Sequence, residues 1–265
     1  MTDEAGTVDL TRPSAARVYD YYLGGAHNFA VDREMAERAI GMWPDLPLIM
    51  QANRAFLRRA VRFCADAGVR QFLDLGSGIP TVGNVHEIAQ DAAPGARVVY
   101  VDNDPIATAY SENILRGNQD TAALQADLRK PEQVLDSPQV RKLLNFDEPI
   151  AVMMVAVLHF VPDNDDPAAV IARYREAMAP GSFLVLSHAS QDGQPGQADS
   201  HQNLYNRTAT PMTMRSKSQV AELLTGFDLV EPGVVFLPQW RPVAPEDVDE
   251  HPERFSGLAA VGRRS

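Results

Sequence analysis

From Gln71 onward, short apolar runs closed by Gly, Asp or Pro alternate with stretches of helical character, and that alternation leaves few folds open. Phe72-Leu73-Asp74-Leu75 reads as a strand ending at Gly76, Arg97 to Val101 is β-rich, and Thr121 to Ala126 is a short strand. Pro149 to Val157 is apolar throughout, as a strand covered on both faces must be, and Phe183 to Ser187 is another strand. Between these runs lie helices. One spans Val82 to Ala92. A second is opened by Asp104-Pro105, an acidic N-cap followed by proline at the first helical position. A third is opened by Asp166-Pro167 and ends near Pro180-Gly181. Strands alternating with helices predict an α/β fold, a doubly wound (Rossmann-like) parallel sheet with helices on both faces. Such sheets bind ligands beyond the carboxyl ends of their strands, near the point where strand order reverses. The residues to inspect are therefore Asp74 to Thr81, Asp102 to Asp104, Asp127-Leu128 and Ala156 to Asp163.

The chain before this region has a different texture. Ala15, Val18, Tyr19 and Tyr22 form one apolar stripe of a helix ended by Gly24-Gly25. A second helix starts near Asp32, and a third runs from about Leu48 to Ala67 and stops at Gly68. Residues 1–67 are thus expected to form a helical N-terminal cap, with residues 68–265 as the α/β core. Residues 191–210 are polar and read as a loop insert, near 190–215, of the kind that is either functional or mobile. Ser216 with Gln219 matches a capping box for a helix to Leu224. Two β segments, Leu229 to Leu237 and Leu258 to Gly262, flank a Pro-rich stretch.

Charge and cysteine usage narrow the partners. The formal net charge of -11 opposes binding of nucleic acid, which needs Lys and Arg to displace phosphate counterions, and it disfavours an anionic membrane. Arg54, Arg58, Arg59 and Arg62 recur at helical spacing, so they are expected on a solvated helix face. The single cysteine, Cys64, lies among Val61, Phe63 and Ala65, and is expected to be a buried, inert thiol. It excludes an internal disulfide and a cysteine zinc cluster, and no metal is expected. The N-terminus shows neither a basic segment nor an apolar run. A cytoplasmic protein is the expectation.

Asp74-Leu75-Gly76-Ser77-Gly78 is a glycine-rich turn from strand to helix, where the backbone can approach a ligand closely. A dinucleotide fingerprint would need Gly or Ala at Thr81, and the carboxylate of Asp74 would repel a pyrophosphate. The same carboxylate suits the ammonium and sulfonium groups of S-adenosylmethionine. Asp102, 24 residues after Gly78, stands near the spacing at which an acid grips ribose hydroxyls, while Asp104 is assigned to capping. Asp127 can accept from the adenine amine, with Leu128 covering the ring.

Together with Val157-Leu158-His159-Phe160-Val161-Pro162-Asp163, these segments resemble a class I S-adenosylmethionine-dependent methyltransferase. More narrowly, the chain is similar to the actinobacterial S-adenosyl methyltransferase family, formerly a domain of unknown function. The narrower likeness rests on the segments 16–25 (Ala16-Arg17-Val18-Tyr19 through Leu23-Gly24-Gly25), 28–33, 52–57, Asn84-Val85-His86-Glu87 and 181–188. The resemblance implies a seven-stranded, mostly parallel sheet with a reversed final strand and a helical N-terminal cap. It also implies S-adenosylmethionine as methyl donor and S-adenosylhomocysteine as product. It makes Asp74, Gly76, Ser77, Gly78, Asp102, Asn103, Asp127 and Leu128 cofactor-binding residues, and sets Ala156 under the cofactor. Pro80 departs from the class pattern, which often has a third glycine there; proline removes an amide donor from the turn. The family fixes no acceptor.

Methyl transfer is an in-line displacement that needs a positioned acceptor and exclusion of water. His159 is the leading candidate for a general base, its alternative being to bond the backbone and shape the pocket; His188 shares that ambiguity. Tyr19 and Tyr22 are expected in the core of the cap, whereas Tyr21 and His27 are expected to reach the acceptor. Arg54 pairs either with the cofactor's carboxylate or in a surface ion pair. The leading reading is an enzyme that methylates a small molecule. A non-catalytic module that binds S-adenosylmethionine stays open beside it, and a nicotinamide dehydrogenase is opposed by Thr81 and Asp74.

Overall fold

The structure is a computed structural model that describes residues 11–80, 83–206 and 210–265. Its centre is a sheet in which five parallel strands lie side by side: β1 (Gln71–Leu75), β2 (Arg97–Asp102), β3 (Thr121–Gln125), β4 (Ala151–Val155) and β5 (Phe183–Ala189). Their order is β3-β2-β1-β4-β5, so the chain steps outward from β1 in one direction and then returns to its other side at β4. The reversal falls between β1 and β4, and the crevice of a doubly wound sheet opens there.

The far side of the sheet is antiparallel. β8 (Gly257–Arg263) pairs with β5 along its whole length. The expected strand from Leu229 to Leu237 forms in two pieces, β6 (Asp228–Leu229) and β7 (Val235–Phe236). Both lie on the same edge of β8, opposite Gly262–Arg263 and Leu258–Ala259 respectively. Pro232 between them has no N–H to give to a ladder, which is why the pairing is interrupted. The eight strands thus fill seven sheet positions, as expected.

Alternate residues of each strand feed two cores. Phe72, Ala151, Met153 and Val185 face one core, and Leu73, Val152, Met154 and Leu184 face the other. The first core is shared with α1 (Ala15–Tyr22), α2 (Ala30–Met42), α3 (Leu46–Asp66) and α4 (Val85–Ala92). In α3 the positions Leu46, Ile49, Asn53, Phe56, Leu57, Ala60, Val61 and Cys64 make one buried stripe, and Cys64 is fully buried as expected. The second core is closed by α7 (Pro138–Leu143), α8 (Pro167–Ala177) and α10 (Lys217–Leu223), reached through α5 (Pro105–Ile114) and α6 (Pro131–Leu135). The caps expected for α5, α8 and α10 all form: Asp104 accepts from Ile106, Asp166 from Ala169, and Ser216 from Gln219.

Two expectations change. The arginines of α3 do not form one solvated face. Arg62 pairs with Asp91 at the surface, but Arg59 donates to the carbonyls of Trp240 and Leu237 and ties the C-terminal region to α3. The polar stretch after β5 is also largely not a loop, for Pro195–Tyr205 forms a helix, α9. Its buried residues Ala198, His201 and Tyr205 stand at i, i+3 and i+7 on the side packed towards α2 and Trp43. A stripe so thin, made of an alanine, a histidine and a tyrosine, escapes a reading based on apolar periodicity.

Candidate functional site

A cavity of about 370 Å³ opens at the carboxyl ends of β1, β2, β4 and β5 and is walled on its other side by α1, α3 and α9. Every residue expected at the cofactor lines it: Asp74, Gly76, Ser77, Gly78, Asp102, Asn103, Asp127, Leu128 and Ala156, with His159 beside them.

The turn after β1 is held against β2 by the Gly76 and Ser77 amides, which both donate to the Val101 carbonyl at 2.8 and 3.1 Å. Gly76 has φ +72°, and a Cβ there would lie 2.2 Å from a methyl carbon of Val157. Backbone twist and the closeness of Val157, just beyond β4, both demand glycine at this point. Gly78, with φ +65°, donates its amide to Asp102 Oδ2 at 2.7 Å. Thr81, which carried part of the argument against a dinucleotide, lies outside the described residues.

Asp102 is the hinge of this region. Its Oδ1 accepts from the Asp104 amide at 2.9 Å, so its carboxylate is fixed in place by backbone donors on both sides. Burial nonetheless pushes its carboxyl up to about 6 against the pull of those donors. Asp74 is buried in the same wall. Desolvation drives it up to about 7, with Arg54 opposing and Asp102 reinforcing the shift. Two buried carboxyls with no countercharge as strong as their burial form a ready receptor for a cation. Arg54 lines the cavity and donates to the Gly83 carbonyl at 2.7 Å.

Asp127 is subject to burial, which raises its carboxyl, and to the guanidinium and amide of Arg129, which outweigh that effect and hold it below the ordinary range. Arg129 also bridges to Asp165. Leu128 is buried beside it and its carbonyl accepts from Tyr174. Ala156 has φ +57°, a costly left-handed conformation for alanine. It is held by hydrogen bonds from its amide to Ser187 Oγ at 2.9 Å and to the Ser187 carbonyl. Ser187 Oγ donates in turn to Asn53, and Asn53 Nδ2 donates to the Tyr19 hydroxyl. A buried hydrogen-bonded chain therefore links the floor of the cavity to α3 and α1.

The cap is fastened a second time at Asp104. One carboxylate oxygen caps α5, and the other accepts from Ser14 Oγ and faces Arg17, which is itself paired with buried Asp32. Within the cap, Tyr19 and Tyr22 line the cavity, whereas Tyr21 and His27 do not. Tyr21 donates to Glu37 on α2, and the His27 ring packs edge-on against Tyr110. Tyr21 and His27, expected to reach the acceptor, thus stand outside the wall of this cavity. On a helix, adjacent residues point about 100° apart, and the stripe that enters the core is the one that meets the cavity.

The histidines here are all driven towards neutrality. His188 is pushed down to about 4, chiefly by burial; its Nδ1 donates to the Ala189 carbonyl, so Nε2 is the bare nitrogen, and Arg215 donates to it at 2.8 Å. Both nitrogens are committed. His159 is held well below its ordinary value by burial and then by His188, His201 and Arg215. Its Nδ1 accepts from the Ala189 amide at 3.4 Å, so its proton resides on Nε2. Arg215, 4 % exposed, also donates to the carbonyls of Leu158 and Val161 and pairs with Asp163, which fixes the segment that carries His159. Sequence reading missed Arg215, His201 and Trp43, all of them buried here; none stands in a recurrent spacing that would have marked it. Among the described residues, no group of three or more His, Cys, Asp or Glu could hold a metal ion, and no helix is long and apolar enough to cross a membrane.

The model of the family described as S-adenosyl methyltransferase matches residues 1–265. A DUF574 family protein from Streptomyces avermitilis is 38 % identical over 97 % of this chain and 100 % of its own, with a TM-score of 0.93. A provisionally assigned methyltransferase from Thermobifida fusca is also 38 % identical, over 100 % of both chains, with a TM-score of 0.93. Human N-acetylserotonin methyltransferase, solved with S-adenosylmethionine, shares the fold at 16 % identity and a TM-score of 0.51, over 96 % of this chain and 63 % of its own. No protein of curated function matches the sequence.

Proposed function

This chain belongs to the S-adenosyl methyltransferase family, and from that premise we propose that the cavity binds S-adenosylmethionine at the strand ends and a small-molecule acceptor beneath the helical cap. The observation that carries the reading is the convergence of Asp74 and Asp102, buried and unneutralised, on a turn whose glycines leave room for a ligand. Bound there, S-adenosylmethionine supplies an electrophilic methyl group on a cationic sulfur.

The work of the chain itself is to bind, orient and dry the site. Asp102, already immobilised by the amides of Gly78 and Asp104, takes the ribose hydroxyls without reorganising. Asp74 faces the positive end of the methionine moiety, and Arg54 lies where it can meet the carboxylate. Asn103 lies along the ribose edge, Asp127 and Leu128 receive the adenine, and the backbone at Ser77 and Ala156 forms the floor. The helical cap, fastened through Ser14 and Arg17 to Asp104 and through Asn53 to Ser187, excludes water from the strand ends beneath it. His159 serves as a donor through Nε2–H that orients the acceptor, rather than as the base the sequence suggested, because its other nitrogen is taken by Ala189. The buried Cys64 thiol and the absence of any second cysteine suit the reducing conditions of the cytoplasm.

Titration calorimetry with S-adenosylmethionine tests the assignment. Wild type is expected to bind with a micromolar Kd, and Asp102→Asn to bind at least tenfold more weakly with its thermal melt intact. A wild type that does not bind, or a variant that binds equally well, overturns it.

A further inference from the structure

The wall of the cavity divides by charge. Its ionisable carboxylates and guanidiniums are Arg54, Asp74, Asp102, Asp104, Asp127 and Arg129, and all but Arg54 belong to the strand-end segments assigned to the cofactor. Arg54 itself acts on Asp74. The rest of the wall comes mainly from α1, Trp43, α3, the 158–162 turn, the end of β5, α9, residues 210–214 and Leu237, and among the described residues it holds no other charged group. Here Tyr22, Trp43, Phe160, Tyr205, Met212 and Met214 supply aromatic and thioether surface. The histidines in this half are uncharged, as shown above for His159 and His188, and burial pushes His201 down to about 4 as well. An ionised acceptor would lose its hydration in this half and find no partner there among the described residues, which selects against it.

The polar groups of this half are not all spent. His201 is 3 % exposed, and neither of its ring nitrogens meets a hydrogen-bonding partner among the described residues. The indole N–H of Trp43, whose ring stands edge-on to His201 at 5.8 Å, is likewise unmatched. Buried polar groups without partners are rare and costly, and at a cavity wall a ligand that matches them recovers that cost. His188 cannot serve, since Arg215 and Ala189 occupy it, and His159 offers a single donor. Of the three histidines, His201 alone leaves both a donor and an acceptor unmatched, each buried in the cavity wall.

We propose that the acceptor is an uncharged, planar aromatic molecule bearing a hydroxyl or carbonyl group, stacked among the aromatic and methionine side chains of the cap half and hydrogen-bonded to His201. Its role as methyl acceptor rests on the cofactor assignment above. In the transfer, the bond from sulfur to the methyl carbon breaks as a bond from the acceptor's heteroatom forms. Sulfur keeps the electron pair as a neutral thioether, and the proton of a hydroxyl acceptor passes to the unprotonated ring nitrogen of His201, which gives it up to solvent as the product leaves.

The test uses the full chain saturated with S-adenosylhomocysteine, whose own binding is measured first. Three probes are then titrated: 2-naphthol, its charged counterpart 2-naphthoate, and saturated decahydro-2-naphthol. The expected result is saturable binding of 2-naphthol, at least tenfold tighter than that of either other probe. His201→Phe should weaken it at least fivefold, His201→Asn should retain part of it, and both should leave S-adenosylhomocysteine affinity unchanged. That last value also shows that the variants fold. Equal or tighter binding of 2-naphthoate, no preference over the saturated alcohol, no binding of 2-naphthol, or indifference to His201→Phe overturns the proposal while leaving the cofactor assignment standing. A wild type that fails to bind S-adenosylhomocysteine overturns the cofactor assignment, and the acceptor role with it, whatever 2-naphthol does.

Discussion

Replacing Asp74 by asparagine should make the protein more stable and a poorer binder at once. Asp74 has an ordinary value of 3.8 and is raised to about 7 in the folded chain, first by burial. Because the folded value lies above the unfolded one, the stability associated with the protonated carboxyl is fully present below about pH 4 and is lost as pH rises towards 7. A gap of about 3 in pKa corresponds to about 4 kcal/mol of lost stability at pH 8, and this is an upper bound. The asparagine side chain is nearly isosteric and never ionises, but its buried amide keeps a desolvation cost of about 1–3 kcal/mol. The net gain expected for Asp74→Asn at pH 8 is about 2 kcal/mol. At roughly 2–4 °C per kcal/mol for a chain of this size, that is a rise of about 4–8 °C in Tm. The same change removes the countercharge for the cofactor's cationic groups, which should weaken S-adenosylmethionine at least thirtyfold, or about 2 kcal/mol. Thermal melts of both proteins from pH 4 to 9, with calorimetry at pH 8, check each half. At pH 4, where wild type is protonated and only the amide's cost remains, the variant should melt lower by a few degrees; the curves should cross between pH 4 and 7 and run parallel above. If wild type melts higher at pH 8, if the difference is the same at pH 4 and 8, or if the variant binds S-adenosylmethionine as wild type does, the account of Asp74 as a strained cation receptor is wrong.

Gly76→Ala should cost about 2–4 kcal/mol in urea unfolding, since its Cβ would press into Val157 and φ +72° is unfavourable for alanine. Adding Val157→Ala should return part of that loss but not the backbone strain, and full recovery would show that the backbone term is absent. Arg215→Met should cost about 1–3 kcal/mol by leaving the buried carbonyl of Val161 without its donor, while that of Leu158 keeps the Val161 amide. It should also let the His188 imidazole titrate above its value of about 4, as followed by NMR of the ring protons, because a repelling cation is gone. An unmoved titration would show that burial alone sets that histidine.

Much of this protein was legible without coordinates, because much of it is local. Asp104-Pro105, Asp166-Pro167 and Ser216 with Gln219 begin helices through hydrogen bonds within a single turn, and all three helices start where those residues stand. The strand texture pointed to the α/β class, and the glycine-rich turn with acids at three strand ends pointed to a cavity whose wall does contain Asp74, Asp102 and Asp127. What required the tertiary structure is whatever depends on groups far apart in the chain. α9 forms from a polar stretch because three of its side chains find α2 and Trp43, a gain invisible to periodicity. The cavity takes Tyr19 and Tyr22 rather than Tyr21 because the rotation of α1 about its axis is set by what it packs against, and His27, beyond the end of α1, packs on Tyr110 instead. The tautomer of His159 is set by the Ala189 amide, 30 positions further along the chain, and its neutrality by burial and then by His188, His201 and Arg215, none of which is a sequence neighbour. A sequence specifies the groups that can titrate and the turns that can hold them; protonation is decided by desolvation and by neighbours, and those exist only once the sheet has brought distant segments together.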